Sequence, residues 1–401
     1  MTHHPGSTSA LRRANTVRVL SLVHQSGGLV QAEIARRSGL SPATVTNLVR
    51  DLVAEGAVAV SDCTVNGRRA RMVSPAVSPG YVLGVDLGRS HVRMMLADQG
   101  HQVLGESYHP LDPGLSAVDG LALVARLYEE LLGQAGADRG QVLHAGVGLP
   151  GPLDVETQQI GAGTLLPEWT GQDLRAAFAE TLGLDVTVDN DANLGALGEY
   201  AWPVPDDPTA ASAPPPGWHQ SLVYVRLATG IGGGLVLDGE LFRGANGTAG
   251  EVGHQTISEN GPLCRCGNRG CLEAIASIPH FLGALRSALD REVDVAAWVD
   301  LAKGGHTIAV RLVQDLGQHV GAALANLTNL VNPHRIVIGG PISATEEILL
   351  APIRAEIRRR AIPAASRHVR VERTRHGDYA EVLGATHLAL TTVRRQVGFN
   401  I

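Results

Sequence analysis

Apolar positions set two rhythms along the chain. Before residue 60 they recur at helical spacing; beyond residue 80 short apolar runs alternate with glycine turns and longer helices. Val17, Leu20, Ser21 and Val23 to His24 mark a first helix that ends at Gly27-Gly28. Gln31 to Ser38 form a second, with Ile34 and Ala35 turned inward, closed by a tight turn at Gly39-Leu40. Ser41 is a good N-cap and Pro42 suits the first position of a third helix. There Val45, Leu48, Val49 and Leu52 fall at i, i+3, i+4 and i+7, a core stripe. Two shorter apolar runs follow, Ala57 to Val60 and Arg71 to Val73. They flank Thr64-Val65-Asn66-Gly67-Arg68-Arg69, whose Asn-Gly pair signals a hairpin. Cys63 reads as a small apolar strand residue. Ser74-Pro75 and Ser78-Pro79-Gly80 punctuate a linker, so the expected organisation is a head over 1–75, a linker over 76–80 and a body over 81–401.

In the body, Tyr81 to Asp86 is an apolar strand running into Leu87-Gly88, with a hairpin partner at His91 to Ala97. Leu115 to Leu132 is helical, Val142 to Leu149 a strand ending in Pro150-Gly151-Pro152. Val186 to Asp189 is a strand opening onto Asn190-Asp191 and a helix to Tyr200. Pro203 to Gly217 is a proline-rich exposed loop. Ser221 to Arg226 and Gly233 to Leu237 make a second hairpin around Ala228-Thr229-Gly230-Ile231-Gly232. Val310 to Val331 is a long helix, Arg335 to Ile338 a strand before Gly339-Gly340, and Tyr379 to Thr391 a closing helix. A strand–glycine turn–strand unit thus occurs twice, each opening a half made of strands followed by helices. Two such turns facing each other can cradle phosphates through backbone N–H groups. Either turn alone has a bland explanation as a common hairpin.

At 401 residues the chain exceeds one ordinary domain, and 44% hydrophobic content supports a sizeable core. No apolar run is long enough to span a bilayer, and the first residues lack the apolar stretch of a signal peptide. With four cysteines, mostly clustered, the expectation is a reducing cytoplasm. Charge is uneven. Residues 1–80 hold nine arginines against four acids, while the whole chain carries −6, so the body carries −11. A basic head on an acidic body suits a polyanion partner for the head alone. Helix, short turn and helix with small polar residues on the outer first turns is the helix-turn-helix pattern. The candidate DNA readers are Ser41, Ala43, Thr46, Asn47 and Arg50, with Arg68, Arg69 and Arg71 of the hairpin aimed at a minor groove. The bland alternative is a protein-interaction module with a solvated arginine face.

The densest chemistry lies in Gly250 to Glu273, GEVGHQTISENGPLCRCGNRGCLE. Three of the four cysteines, Cys264, Cys266 and Cys271, join His254 here, and these four are the ligand types and number of a structural zinc. Gly267 and Gly270 let the loop curl. A disulfide is the competing reading and leaves one thiol over; three inert buried cysteines is the blandest.

With these residues the chain resembles the ROK family of repressors, open reading frames and kinases. GEVGH and CRCGNRGCLE carry the most specific likeness, and the likeness extends over nearly the whole chain. It is most similar to the regulators of that family, of the xylose, N-acetylglucosamine and glucose repressor type. The resemblance implies an α/β, actin-like (ribonuclease H-like) sugar-kinase body in two lobes, with an α+β winged helix-turn-helix in front. It implies zinc on His254, Cys264, Cys266 and Cys271, and sugar on Asn190, Asp191, Glu251, His254 and Glu273. Histidine can serve both, one ring nitrogen on the metal and the other on a hydroxyl. Carboxylates and an amide suit hydroxyls, which both donate and accept. In a kinase Asp191 would be the general base; the plain alternative for Asn190 and Asp191 is a helix N-cap. Nucleotide would fall to Asp86, Gly88, Ser90, Thr229, Gly230, Gly339 and Gly340. Two departures count against ATP. Arg89-Ser90 stands where kinases of the family have Gly-Thr, and Leu165-Leu166-Pro167-Glu168-Trp169 lacks the Asn and Gly of their Asn-Leu-Pro-Gly-Trp.

The leading expectation is a sugar-responsive transcriptional repressor, a homodimer or homotetramer that releases operator DNA when a sugar or sugar phosphate binds. A second is an ATP- and magnesium-dependent sugar kinase that keeps a DNA-binding head. A third is a zinc-dependent scaffold.

Overall fold

The computed structural model describes residues 28–54, 57–65, 68–75, 80–112, 114–154, 156–161, 166–202 and 221–396, with parts of a helix (α1) between residues 12 and 23. The Asn66-Gly67 turn, the linker except Gly80, and the proline-rich stretch 203–217 lie outside them.

In the head, α1 buries Val19, Leu20 and Val23 against α2 (Gln31–Ser38) and α3 (Pro42–Ala54). The stripe of α3 is buried as its spacing requires: Val45, Leu48, Val49 and Leu52 are all core. Ser41 Oγ accepts from Thr44 N–H at 3.1 Å, the expected cap, worth about 1 kcal/mol. Gly39 closes α2 in the left-handed region. The hairpin is longer than its apolar runs imply. β2 (Val58–Val65) and β3 (Arg68–Pro75) pair right up to the turn, Val65 opposite Arg68, so Arg68 and Arg69 are strand residues and not loop. Polar residues alternate on the exposed face, which hid the length. A third strand, β1 (Leu29–Val30), pairs with β3; two residues carry no readable period.

The body repeats one sheet design. In the first lobe β4 (Tyr81–Leu87), β5 (His91–Asp98), β6 (Val103–Pro110), β7 (Val142–Leu149) and β8 (Val186–Asn190) lie in the order β6-β5-β4-β7-β8. In the second, β9 (Leu222–Leu227), β10 (Ile231–Leu237), β11 (Glu240–Leu241), β12 (Arg335–Gly339) and β13 (Arg370–Arg373) lie in the order β11-β10-β9-β12-β13. The pairings match as well: two antiparallel steps, then two parallel ones. The first lobe adds α4 (Ala117–Ala135) and α5 (Leu174–Leu182), and its core centres on Tyr128, Trp169 and Phe178. The second adds α7 (Leu272–Ala276), α8 (Ile278–Leu289), α9 (Val295–Lys303), α10 (Thr307–Val331), α11 (Glu347–Arg360) and α12 (Pro363–Ser366), around Trp298 and Phe281.

Two helices join the lobes by exchange. α6 (Asp191–Ala201) leaves β8 of the first sheet and packs on β9 and β10 of the second; α13 (Ala380–Gln396) follows β13 and packs on β4 and β7 of the first. They also cross each other, so closely that only glycine fits. A Cβ on Gly384 would lie 1.8 Å from Leu194 O, and one on Gly198 2.1 Å from Ala380 O. Arg243 beyond β11 adds a tie, gripping Asp189 of β8 at 2.7 and 2.8 Å. The site lies beside this crossing. Among the described residues, no helix is long and apolar enough to cross a membrane.

Candidate functional site

The loop after β11 brings His254, Cys264, Cys266 and Cys271 together: one ligand atom from each lies within 4.8 Å of the others. His254 Nδ1 is 3.6 Å from Cys264 Sγ, and Cys266 Sγ is 3.7 Å from Cys271 Sγ. A tetrahedral ion with S at about 2.3 Å and N at about 2.0 Å sets ligand edges of about 3.5–3.8 Å. The four residues therefore fit a metal ion. All four cysteines are free thiols, which removes the disulfide; a bonded pair needs about 2.05 Å. The curl comes from Gly267 and Gly270 at φ +90° and +65°, and a Cβ on Gly270 would meet Ser258 O at 1.6 Å.

One member of the cluster, His254, also lines a cleft. Cys271 starts α7, which places Glu273 in its first turn. There Glu273 Oε2 accepts from the Ile231 N–H of the second glycine turn at 2.9 Å, and Oε1 lies 3.3 Å from Arg265 Nε. The other ring nitrogen of His254, Nε2, faces Glu251 Oε2 at 3.8 Å. Asn190, Asp191, Glu251, His254 and Glu273, the five expected sugar residues, line this one cleft, together with Arg226. Asn190 is also the N-cap of α6: its Oδ1 accepts from Ala192 and Asn193 N–H, and its amide donates to Gly151 O. Glu251 is pushed up to about 7 by burial and by the Asp191 and Glu273 carboxylates.

Arg226 went unnoticed in the sequence reading. It sits at the end of β9, and Nη1 meets Asp191 Oδ2 at 2.9 Å while Nε meets Glu381 Oε1 of α13 at 2.8 Å. Tyr224 Oη donates to the same Glu381 oxygen. Burial raises Asp191, and the guanidinium pulls the other way without cancelling it. Glu381 is pushed up to about 7 by burial, against the pull of Arg226 and with the push of Asp86 and Asp191. The sequence signal was there: a lone charge in the buried strand LVYVRL needs partners.

The expected nucleotide residues fall in two groups, Asp86, Gly88 and Ser90 on the β4–β5 hairpin and Thr229, Gly230, Gly339 and Gly340 at the adjoining ends of β9 and β12. Asp86 is buried and paired to His91 Nε2 at 2.8 Å; burial opposes its charge, and His91 and then Arg226 hold it below the ordinary range. The His91 ring covers Gly88: a Cβ there would meet its Cε1 at 2.5 Å. Arg89 and Ser90 are exposed at the hairpin tip, so the filled space is due to His91 and not to Arg89. Arg89 faces the second departure, Pro167–Trp169, across a separate cleft. Gly230 belongs to the cleft lined by Asp191 and Glu251, with Thr229 half-buried beside it. Gly339 is required by packing, since a Cβ would lie 2.0 Å from Tyr224 Oη, and Gly340 has φ +84°.

In the head, Ser41, Ala43, Thr46, Asn47 and Arg50 are all exposed, on the face of α3 opposite its core stripe. Arg69 and Arg71 are exposed on β3; the side chain of Arg68 is outside the described residues.

Residues 82–392 match the ROK family model. The chain belongs to the ROK family. Residues 14–70 match the MarR family model, and the head is a winged helix-turn-helix of that type. The body is actin-like. The xylose repressor of Caldicellulosiruptor bescii is 29% identical, over 96% of this chain and 98% of its own length. The crystal structure of a ROK family transcriptional regulator, a homologue of the E. coli MLC protein, superposes with a TM-score of 0.75 at 26% identity, covering 97% of this chain and 98% of that one. A ROK family glucokinase from Streptomyces griseus, in complex with glucose and AMPPNP, has a TM-score of 0.65 at 27% identity. It covers 78% of this chain and 100% of its own, so the kinase has no counterpart to about a fifth of the present chain.

Proposed function

We propose that this chain is a sugar-responsive transcriptional repressor. The observation that carries this reading is the union of two parts on one chain. One is a head with small polar residues exposed on a capped recognition helix; the other is a body whose cleft gathers five hydroxyl-binding candidates from the β8–α6 junction and the metal-ligand loop. The head spans residues 1–75, a linker 76–80, and the ROK body 81–401. Ser41, Ala43, Thr46, Asn47 and Arg50 meet the major groove, and Arg68, Arg69 and Arg71 the minor groove and phosphates. The metal is zinc, held by His254, Cys264, Cys266 and Cys271, and it supplies rigidity rather than reactivity. Around it Asn190, Asp191, Glu251, His254 and Glu273 bind sugar hydroxyls. The protein works in the cytoplasm as a homodimer or homotetramer; paired heads reading half-sites about 34 Å apart would match the two-fold symmetry of an operator.

Sugar enters between the lobes, and closure turns them about the α6–α13 crossing. Occupancy lowers operator affinity only if the sugar binds the low-affinity conformer better. The kinase reading is disfavoured by Arg226, which already occupies the carboxylate that would take the proton, and by His91, which fills the first phosphate turn. Fluorescence anisotropy on a fragment of the protein's own promoter tests the proposal, titrated with pentoses, hexoses and amino sugars. Sequence-specific binding that weakens with one of them is expected; no sequence-specific complex at any sugar concentration rules it out.

A further inference from the structure

The sugar reading of the cleft leaves two ligand classes, a free sugar and its phosphate ester. Resting on that reading, we propose that the cleft takes an uncharged sugar and rejects its phosphate esters. Both arginines of the cleft already hold carboxylates of this chain, and an amide of each glycine turn is already donated within it.

Two arginines are among the described residues lining the cleft. Arg226 spends Nη1 on Asp191 and Nε on Glu381, with Asp86 behind it at longer range. Two carboxyl groups thus share one guanidinium directly, which leaves it no charge to spare for a further anion. Arg265 stands at the exposed mouth with Nε on Glu273. His254 turns Nδ1 to the cysteines and Nε2 to Glu251. Asp191, Glu251 and Glu273 therefore outnumber the two arginines facing them.

The glycine turns are engaged as well. Such turns bind phosphate through free N–H groups, but the Ile231 N–H donates to Glu273 and the Gly88 N–H to His91 O at 2.9 Å. A phosphate arriving at the second turn would meet a carboxylate already seated on its amide. Like charge at that range is repulsive and only weakly screened in a closed cleft. A hydroxyl meets no such conflict. It donates to Asp191, Glu251 or Glu273 and breaks none of these contacts.

Calorimetric titration of the zinc-loaded full chain tests this. The probes are xylose, glucose and N-acetylglucosamine, each beside its terminal phosphate ester, at fixed ionic strength. One free sugar is expected to bind, and its ester at least 100-fold more weakly. An ester that binds as tightly as its parent overturns the proposal. If none of the six binds while the operator still does, the sugar reading itself fails and takes this inference with it. A second measurement uses Glu381→Gln, which removes one carboxylate from Arg226 without altering the cleft lining. The discrimination should narrow about tenfold, and less so at high salt; an unchanged ratio overturns the part assigned to Arg226.

Discussion

The Arg226 guanidinium holds the Asp191 carboxylate at 2.9 Å, on the floor of the cleft where the two lobes meet. A general base must be free to accept a proton from the attacking hydroxyl. Here that oxygen is committed to a cation, and the cation is anchored in turn to Glu381 of α13. Asp191 is therefore placed to accept a hydroxyl hydrogen bond, not to abstract the proton. A coupled ADP-release assay over hexoses, pentoses and amino sugars should show no turnover above ATP hydrolysis. Turnover abolished by Asp191→Asn would contradict this. The same substitution should weaken sugar binding about tenfold to a hundredfold, the range of a hydrogen bond to a charged group.

Cys266→Ser should remove zinc. The ligand set drops below four, and the loop that seats Glu273 on Ile231 loses its brace. Metal analysis should fall from about one zinc per chain to near none, with a lower melting temperature and weaker sugar binding. Full zinc occupancy in the variant would refute the assignment.

Operator binding should separate two kinds of residue. Asn47→Ala, on the exposed face of α3, should cost about 1–3 kcal/mol and relax preference at one base pair. Arg69→Ala should weaken binding to all sequences alike and reduce the salt slope by about 1. Equal losses on operator and random DNA for Asn47→Ala would remove it from the readers.

Glu381 makes a pH prediction. Burial pushes its carboxyl from 4.5 up to about 7. Between those values the folded chain binds more protons at this group than the unfolded chain does. The group's contribution to stability therefore falls as pH rises through this window. Glu381→Gln removes that dependence, so the variant should gain on wild type between pH 5 and pH 8. A difference in melting temperature that stays constant with pH would contradict the shift.

The helix crossing should tolerate nothing larger than glycine. Gly384→Ala forces a Cβ against Leu194 O and should cost about 1–3 kcal/mol. Chemical denaturation measures it, and a neutral result would mean the helices part easily.

What could be read from the chain alone follows from the range of the forces involved. β7 was legible to the residue, since Val142 to Leu149 is buried nearly throughout and ends at Pro150-Gly151. The four residues that could hold a metal ion were legible because one short loop contains them all. The residues expected to bind sugar came from likeness to a family, and the fold brings them to one cleft. β6 was missed because it is an edge strand, half exposed and without a strong apolar period; β13, four residues with arginine at both ends, was missed likewise. Arg226, Glu381 and His91 were missed because their meaning lies in partners supplied by folding. No local pattern joins the end of β9 to the first turn of α13.

The most direct measurement is the reciprocity of the two sites. If sugar in the cleft weakens operator binding by some factor, saturating operator must weaken sugar binding by the same factor. Calorimetric sugar titrations of the zinc-loaded chain, with and without a saturating operator duplex, read it directly. Equal factors of about 5 to 150 are expected, the usual range of such coupling. A sugar dissociation constant unmoved by the operator would mean that the cleft and the head do not communicate.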